Sequence, residues 1–317
     1  MTIHVYSSAD AGAPQIDRNV GSIINVLDAC LVNGFGSGPT ATPVGWTKEF
    51  SAANEAAYKM PAGTSERFLY VDDNRAEEAN RTFRMAGYNT MTAIDAGEGA
   101  WPSSDGDWFF KAWDDGISPW WLIADEALFY LVIHPYSDNG FDYGYARNPL
   151  IFAFGDAVPF NAGDQNFTVL IGGTPASSDT RFYAGGWFAR MDSTTGDNNQ
   201  QRAHAYRNAE GSAEAPFIER AGLSPAGDYA SSPVGGETTF YQSGGRLIAI
   251  PAFVVQRGLR GVLPGLKVGQ NVDWGLDTGR GFTFEGEATE YFAVRTQGAG
   301  SGDYRLNHFI DLDGPWR

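Results

Sequence analysis

The sequence predicts a mainly β protein with a few short helices, arranged as two antiparallel β-sandwich- or barrel-like domains. Three observations lead there. Aromatic residues make up 14% of the chain and glycines number 40, a pairing that favours short strands joined by tight turns. The apolar segments are of strand length, bounded by clusters of Gly, Pro, Asn and Asp. The chain has 317 residues, more than the roughly 100–200 of one typical domain. With 43% hydrophobic and 19% charged residues, the composition is globular and able to bury a core.

Taken in order, residues 3–6 alternate like a short strand. Ser22 is a candidate cap for a helix over Ser22–Asn33, in which Ile23, Ile24, Val26, Leu27, Cys30 and Leu31 recur at helical spacing and Asn33-Gly34 supplies the stop. Trp46 to Phe50 alternates as a strand, and Ala52 to Tyr58 reads as one or two helical turns. Arg67 to Asp73, Arg81 to Tyr88 and Trp108 to Trp113 read as further strands. Trp120 to Ala124 and Leu128 to Ile133 face each other across Asp125-Glu126-Ala127, a hairpin in the middle of a sheet. The polar, Tyr/Gly-rich stretch after it is a linker or a long hairpin loop. It divides the chain into an N-terminal β-rich domain at 1–135, the connection at 136–149, and a C-terminal β-rich domain at 150–317. In the latter, strands are expected at Leu150 to Phe154, Phe167 to Ile171, Arg181 to Arg190, Arg246 to Pro251, Ala252 to Gln256, Phe282 to Glu285, Glu290 to Arg295 and Tyr304 to Asp311. Asp192 to Gln201 reads as loop, and Gly211 to Glu237 is also polar, with Pro216, Pro225 and Pro233. No repeat of 20–50 residues supports a solenoid or propeller.

Charge and cysteine usage narrow the function classes. The net charge is −16 with a pI near 4.5, and no basic patch is segregated in sequence, so nucleic acid is not an expected partner. The first residues lack the basic and apolar regions of a signal peptide. The most apolar run, Pro119 to Ile133, is broken by Asp125 and Glu126, so no membrane span is expected. The single cysteine, Cys30, permits no intramolecular disulfide and sits in an apolar run as a small hydrophobe, which fits folding in a reducing cytosol.

Chemistry is thinly represented. His4, His134, His204 and His308 are scattered, and no Gly-x-Ser-x-Gly elbow accompanies them. No His or Cys pair has metal-ligand spacing. The Asp-rich segments at Asp72–Asn74, Asp114–Gly116, Asp192–Asn198 and Asp311–Gly314 leave calcium open, but Asp, Asn and Gly are also ordinary turn residues and no full calcium pattern occurs. No cofactor is otherwise expected. Asp125 and Glu126 lie beside Trp120 and Trp121, whose rings could stack on a sugar, yet adjacent strand residues point to opposite faces and would not share a glycosidase site. No catalytic residue is therefore assigned. Aromatics among small residues do suit protein–protein contact. The candidate contact residues are Tyr143, Tyr145, Trp187 and Phe188, with Trp120 and Trp121.

Several motifs resemble a family of tailed-bacteriophage virion proteins. They are Tyr6-Ser7-Ser8-Ala9-Asp10-Ala11-Gly12-Ala13-Pro14, the run from Val20 to Gly36, Gly45-Trp46-Thr47-Lys48, Tyr70-Val71-Asp72-Asp73 and Arg84-Met85-Ala86-Gly87-Tyr88-Asn89-Thr90-Met91. Phe152-Ala153-Phe154-Gly155-Asp156 and Arg260-Gly261-Val262-Leu263-Pro264-Gly265-Leu266 follow. The resemblance is densest over residues 6–91. It implies a non-enzymatic structural component of the particle, folded in the bacterial host cytoplasm and located in the virion, without fixing its place there; the first reading is tail-associated, at the tail tip, baseplate or fibre attachment. Its expected partners are copies of itself and other virion proteins. Capsid decoration or a head fibre is the alternative position. A module that binds or cleaves a host-surface glycan is the alternative from another class.

Overall fold

The computed structural model describes residues 2–73, 82–100, 107–112, 115–134, 149–162, 164, 167–171, 203–205, 217–219, 249–255, 259–269, 278–284, 286–297 and 305–317. The elements in the first half are β1 (His4–Ser7), α1 (Ser22–Leu27) running directly into a π-helical turn (Asp28–Asn33), β2 (Thr47–Ala52), β3 (Glu55–Lys59), β4 (Phe68–Asp72), β5 (Thr82–Tyr88), β6 (Thr90–Ala93), β7 (Ala96–Glu98), β8 (Asp107–Phe110), β9 (Trp120–Ala124) and β10 (Leu128–Ile133). They are followed by β11 (Leu150–Asp156), β12 (Val158–Pro159), β13 (Thr168–Ile171), β14 (Ala203–Ala205), β15 (Phe217–Glu219), β16 (Ala249–Val255), β17 (Leu259–Gly269), β18 (Gly279–Phe282), β19 (Tyr291–Gln297) and β20 (Arg305–Asp311). The fold is mainly β, and the pairings between these strands are antiparallel.

The strands form three main sheets and one small ribbon. The central sheet has the order β1-β9-β10-β11-β13-β14, a second runs β2-β3-β4-β5-β8, and a third runs β15-β16-β17-β20-β19-β18 with β12 beside β17. Side chains alternate across a strand, and in the central sheet both faces are covered. On one face Phe129, Leu131, Ile133, Phe152 and Phe154 join Tyr58, Leu69, Val71, Phe83 and Met85 of the second sheet and Ile23, Leu27 and Leu31 of the helix. On the other, Leu128, Tyr130, Val132, Ile151 and Ala153 join Val254, Leu266, Phe292, Val294 and Ile310 of the third sheet. The result is a layered β structure with the central sheet as its middle. This is why all of β10 is buried and reads as a continuous apolar run instead of an alternating one.

Four expectations are corrected. First, the domain boundary at 136–149 does not separate two sheets, and of the two readings of that stretch, linker or long hairpin loop, the pairing favours the hairpin connection. Strands β10 and β11 on either side of it pair from Leu128↔Gly155 to Ile133↔Leu150, so the stretch connects neighbours of one sheet. Second, Ala52 to Tyr58 is not helical. It is the β2–β3 hairpin, turning at Asn54 with φ 59, and Ala56 and Tyr58 face one core while Ala57 faces another. Third, Ser22 is the first helical residue and not the cap. Its Oγ donates to the Asp17 carbonyl (3.0 Å), and the Asp73 carboxylate accepts the Ile23 N–H (2.9 Å) from a distant strand end. Fourth, Phe217–Glu219, within a polar stretch for which no strand is expected, pairs with β16. The strand expected at Arg181 to Arg190 and the loop at Asp192 to Gln201 lie outside the described residues.

Candidate functional site

Of the candidate contact residues, Trp120 is a core residue. It is fully buried on β9, its indole Nε1 donates to the Pro14 carbonyl (2.9 Å), and its ring meets Phe35 edge-on at 6.4 Å. It cannot contact a partner, because β9 belongs to the middle layer. Trp121 points to the opposite face and is half-buried, 5.2 Å from the Phe292 ring of the third sheet. Tyr143, Tyr145, Trp187 and Phe188 lie outside the described residues.

The acids between β9 and β10 hold the hairpin. Asp125 is fully buried; its Oδ1 accepts the N–H groups of Ala127 (2.8 Å) and Leu128 (2.7 Å), and its Oδ2 accepts Arg317 Nε (3.1 Å). Arg317 Nη2 also donates to the Asp156 carbonyl (2.7 Å). Asp156 in turn accepts from the Thr168 hydroxyl (2.7 Å) and the Ser65 N–H (2.8 Å). The Glu126 carbonyl accepts Trp46 Nε1 (2.9 Å). Asp125 and Glu126 therefore do not converge on a shared site. The Asp311–Gly314 segment likewise closes a turn, with Asp311 Oδ1 accepting the N–H groups of Asp313 and Gly314 (2.9 Å each). Among the described residues no group of three His, Cys, Asp or Glu side chains is placed to hold a metal ion.

Two polar clusters stand out; of their members the sequence singles out as a site candidate only Asp73, within the Asp-rich segment Asp72–Asn74. The first is a buried ion pair. Asp73 follows β4 and Lys111 follows β8, and Lys111 Nζ lies 2.5 Å from Asp73 Oδ1 with both side chains essentially without solvent exposure. Nζ also donates to the Asn19 carbonyl (2.7 Å) and to Ser22 Oγ (3.1 Å). The Gly21 N–H donates to the Asp73 carbonyl (3.1 Å), and the Asp73 N–H donates to Asn54 O (2.9 Å). Burial pushes the Asp73 carboxyl up to about 6 and the Lys111 ammonium below its usual range, each against the opposing charge of its partner. A charge within the apolar run Trp108-Phe109-Phe110-Lys111-Ala112 is a visible signal that it needs a partner, but nothing local says which.

The second cluster lies on the outer face of the third sheet. Lys267 Nζ sits 3.0 and 3.1 Å from the two Glu287 oxygens and over the rings of Tyr291 (4.7 Å) and Phe284 (5.1 Å). The Tyr291 hydroxyl donates to Glu287 (2.7 Å), which holds that carboxyl below its usual range together with Lys267. Phe282 and Phe284 close over Phe309 at ring separations of 4.7 and 4.9 Å. The cation is neutralised and the rings cover one another, so the cluster reads as a small outer core.

No family model matches the chain. No curated protein matches it either. Among the described residues, no helix is long and apolar enough to cross a membrane.

Proposed function

We propose that this chain is a non-enzymatic structural component of a tailed-bacteriophage particle, tail-associated and working through contacts with copies of itself and other virion proteins. The observation that carries the reading is how the buried and half-buried carboxylates are used. Asp73 is committed to Lys111 and the Ile23 N–H, Asp125 to a turn and to Arg317, Asp156 to Ser65 and Thr168, and Asp164 to a two-pronged pair with Arg260 (2.7 and 3.0 Å). Groups of the kind that catalysis would need free are spent on joining loops to sheets. Layered antiparallel sheets tied together in this way suit a part that bears load within an assembly. The resemblance of residues 6–91 to virion proteins supplies the particle.

The test is immunogold labelling of purified virions with an antibody raised against the pure chain. Labelling at the tail is the expected result. Labelling confined to the head moves the chain to capsid decoration, and virions free of the antigen overturn the reading. Release of reducing ends from host polysaccharide by the pure chain would overturn its non-enzymatic part.

A further inference from the structure

The Asp73–Lys111 pair is more than close; it is arranged for a reaction between its own two members. We propose that Lys111 and Asp73 condense to an amide, giving an intramolecular isopeptide crosslink between the ends of β4 and β8. The proposal stands on the geometry of the pair and does not depend on the virion reading.

The first requirement is proximity without water. Nζ is 2.5 Å from Oδ1, and both side chains are shut away from solvent beside the core that contains Ile23, Val71 and Phe83. Held in this way, amine and carboxyl react as one molecule, and burial disfavours the return of water for hydrolysis. The second requirement is the neutral pair, because an ammonium has no lone pair to attack with. Transfer of one proton from Nζ to Oδ1 along the existing hydrogen bond makes an amine and a carboxylic acid. Burial shifts both groups in that direction, Asp73 upward and Lys111 downward.

The third requirement is polarisation of the carbonyl. The Ile23 N–H already donates to Oδ2 at 2.9 Å, on the oxygen that gathers negative charge when Nζ adds to the carboxyl carbon. The Asn19 carbonyl and Ser22 Oγ, at 2.7 and 3.1 Å from Nζ, hold the amine in place. The step balances. A bond forms between Nζ and the Asp73 carboxyl carbon, and the bond from that carbon to Oδ1 breaks. Oδ1 departs as water with two protons that began on Nζ, and the amide keeps the third. No oxidant, reductant or co-reactant is needed.

Mass spectrometry of the intact, denatured wild-type chain reads the outcome directly. The expected mass is lower than that of the sequence by one water. Digestion with trypsin then yields the peptide 68–75, carrying Asp73, joined to residues 85–147 with Lys111 uncleaved. Lys111→Arg, which keeps a cation but cannot condense, returns to its full sequence mass and migrates more slowly on a denaturing gel. A wild-type chain at full mass, a lost water mapped to any other residue, or the same loss in Lys111→Arg each overturns the crosslink.

Discussion

Ile151 and Phe152 are consecutive on β11, and the layered arrangement makes a sharp statement about the pair. In a sheet with one wet face, one of two neighbours points to solvent and can be truncated almost freely. Here both are fully buried, Ile151 among third-sheet residues and Phe152 among those of the second sheet and helix, with Phe152 meeting Phe83 edge-on at 5.5 Å. Removing a buried Ile to Ala costs about 2–5 kcal/mol, and Phe to Ala about 3–5 kcal/mol through lost transfer and the cavity left behind. The Phe83 contact adds about 0.5–1.5 kcal/mol to the second. With a urea slope near 3 kcal/mol/M, at the upper end for domains of ordinary size, each substitution lowers the unfolding midpoint by about 1 M. The assay is urea unfolding of Ile151→Ala and Phe152→Ala, followed by far-UV circular dichroism. If either variant unfolds within about 0.5 kcal/mol of wild type, as a surface substitution would, the central sheet has an open face and the layered account fails.

Three further outcomes are expected. Gly265 has φ +72, and a Cβ there would lie 2.3 Å from Trp316 Nε1. Gly265→Ala therefore costs about 2–4 kcal/mol through left-handed strain and overpacking, and a thermal melt that matches wild type would contradict the seating of Trp316 against β17. Arg317→Ala leaves the fully buried Asp125 carboxylate without its cation, at a cost of about 2–3 kcal/mol; urea unfolding measures it, and an unchanged midpoint would show that the pair does not form in solution. Burial lowers the pKa of His4 against the opposing pull of Glu126. As pH falls, the unfolded chain then takes up this proton before the folded one, so the stability His4 contributes is whole above its ordinary value of 6.5 and is lost as pH drops through the lower folded value. His4→Gln should flatten the decline in melting temperature between about pH 7 and pH 5, and an identical decline in both proteins would rule His4 out as a contributor.

How far the sequence could be read follows from the range of each interaction. The strands at Arg67 to Asp73, Arg81 to Tyr88, Trp120 to Ile133 and Leu150 to Phe154 were legible because their apolar runs and flanking turn residues are local signals. The β9–β10 hairpin was legible because Asp125 and Glu126 interrupt one long apolar run where the chain must turn. Ala52 to Tyr58 was misread because alanines carry little preference for either period, and only the contacts of Ala56, Ala57 and Tyr58 with two different cores decide for a strand. Trp120 was misassigned to a contact surface for a related reason. Its neighbours in sequence do not tell whether a second layer covers its side of the sheet.

By itself, the sequence determined that the protein is mainly β, where most of its strands lie, that no disulfide ties it internally, and that its charge is strongly acidic. These depend on composition and on short apolar runs bounded by turn residues along the chain. Only the tertiary structure decided that the stretch at 136–149 joins neighbouring strands of one sheet, that the central sheet is covered on both faces, and that Asp73 meets Lys111 across 38 residues of chain. The physical reason is common to all three. Burial and charge pairing are set by which distant segments pack together, and a periodic pattern records that a face is covered without recording what covers it.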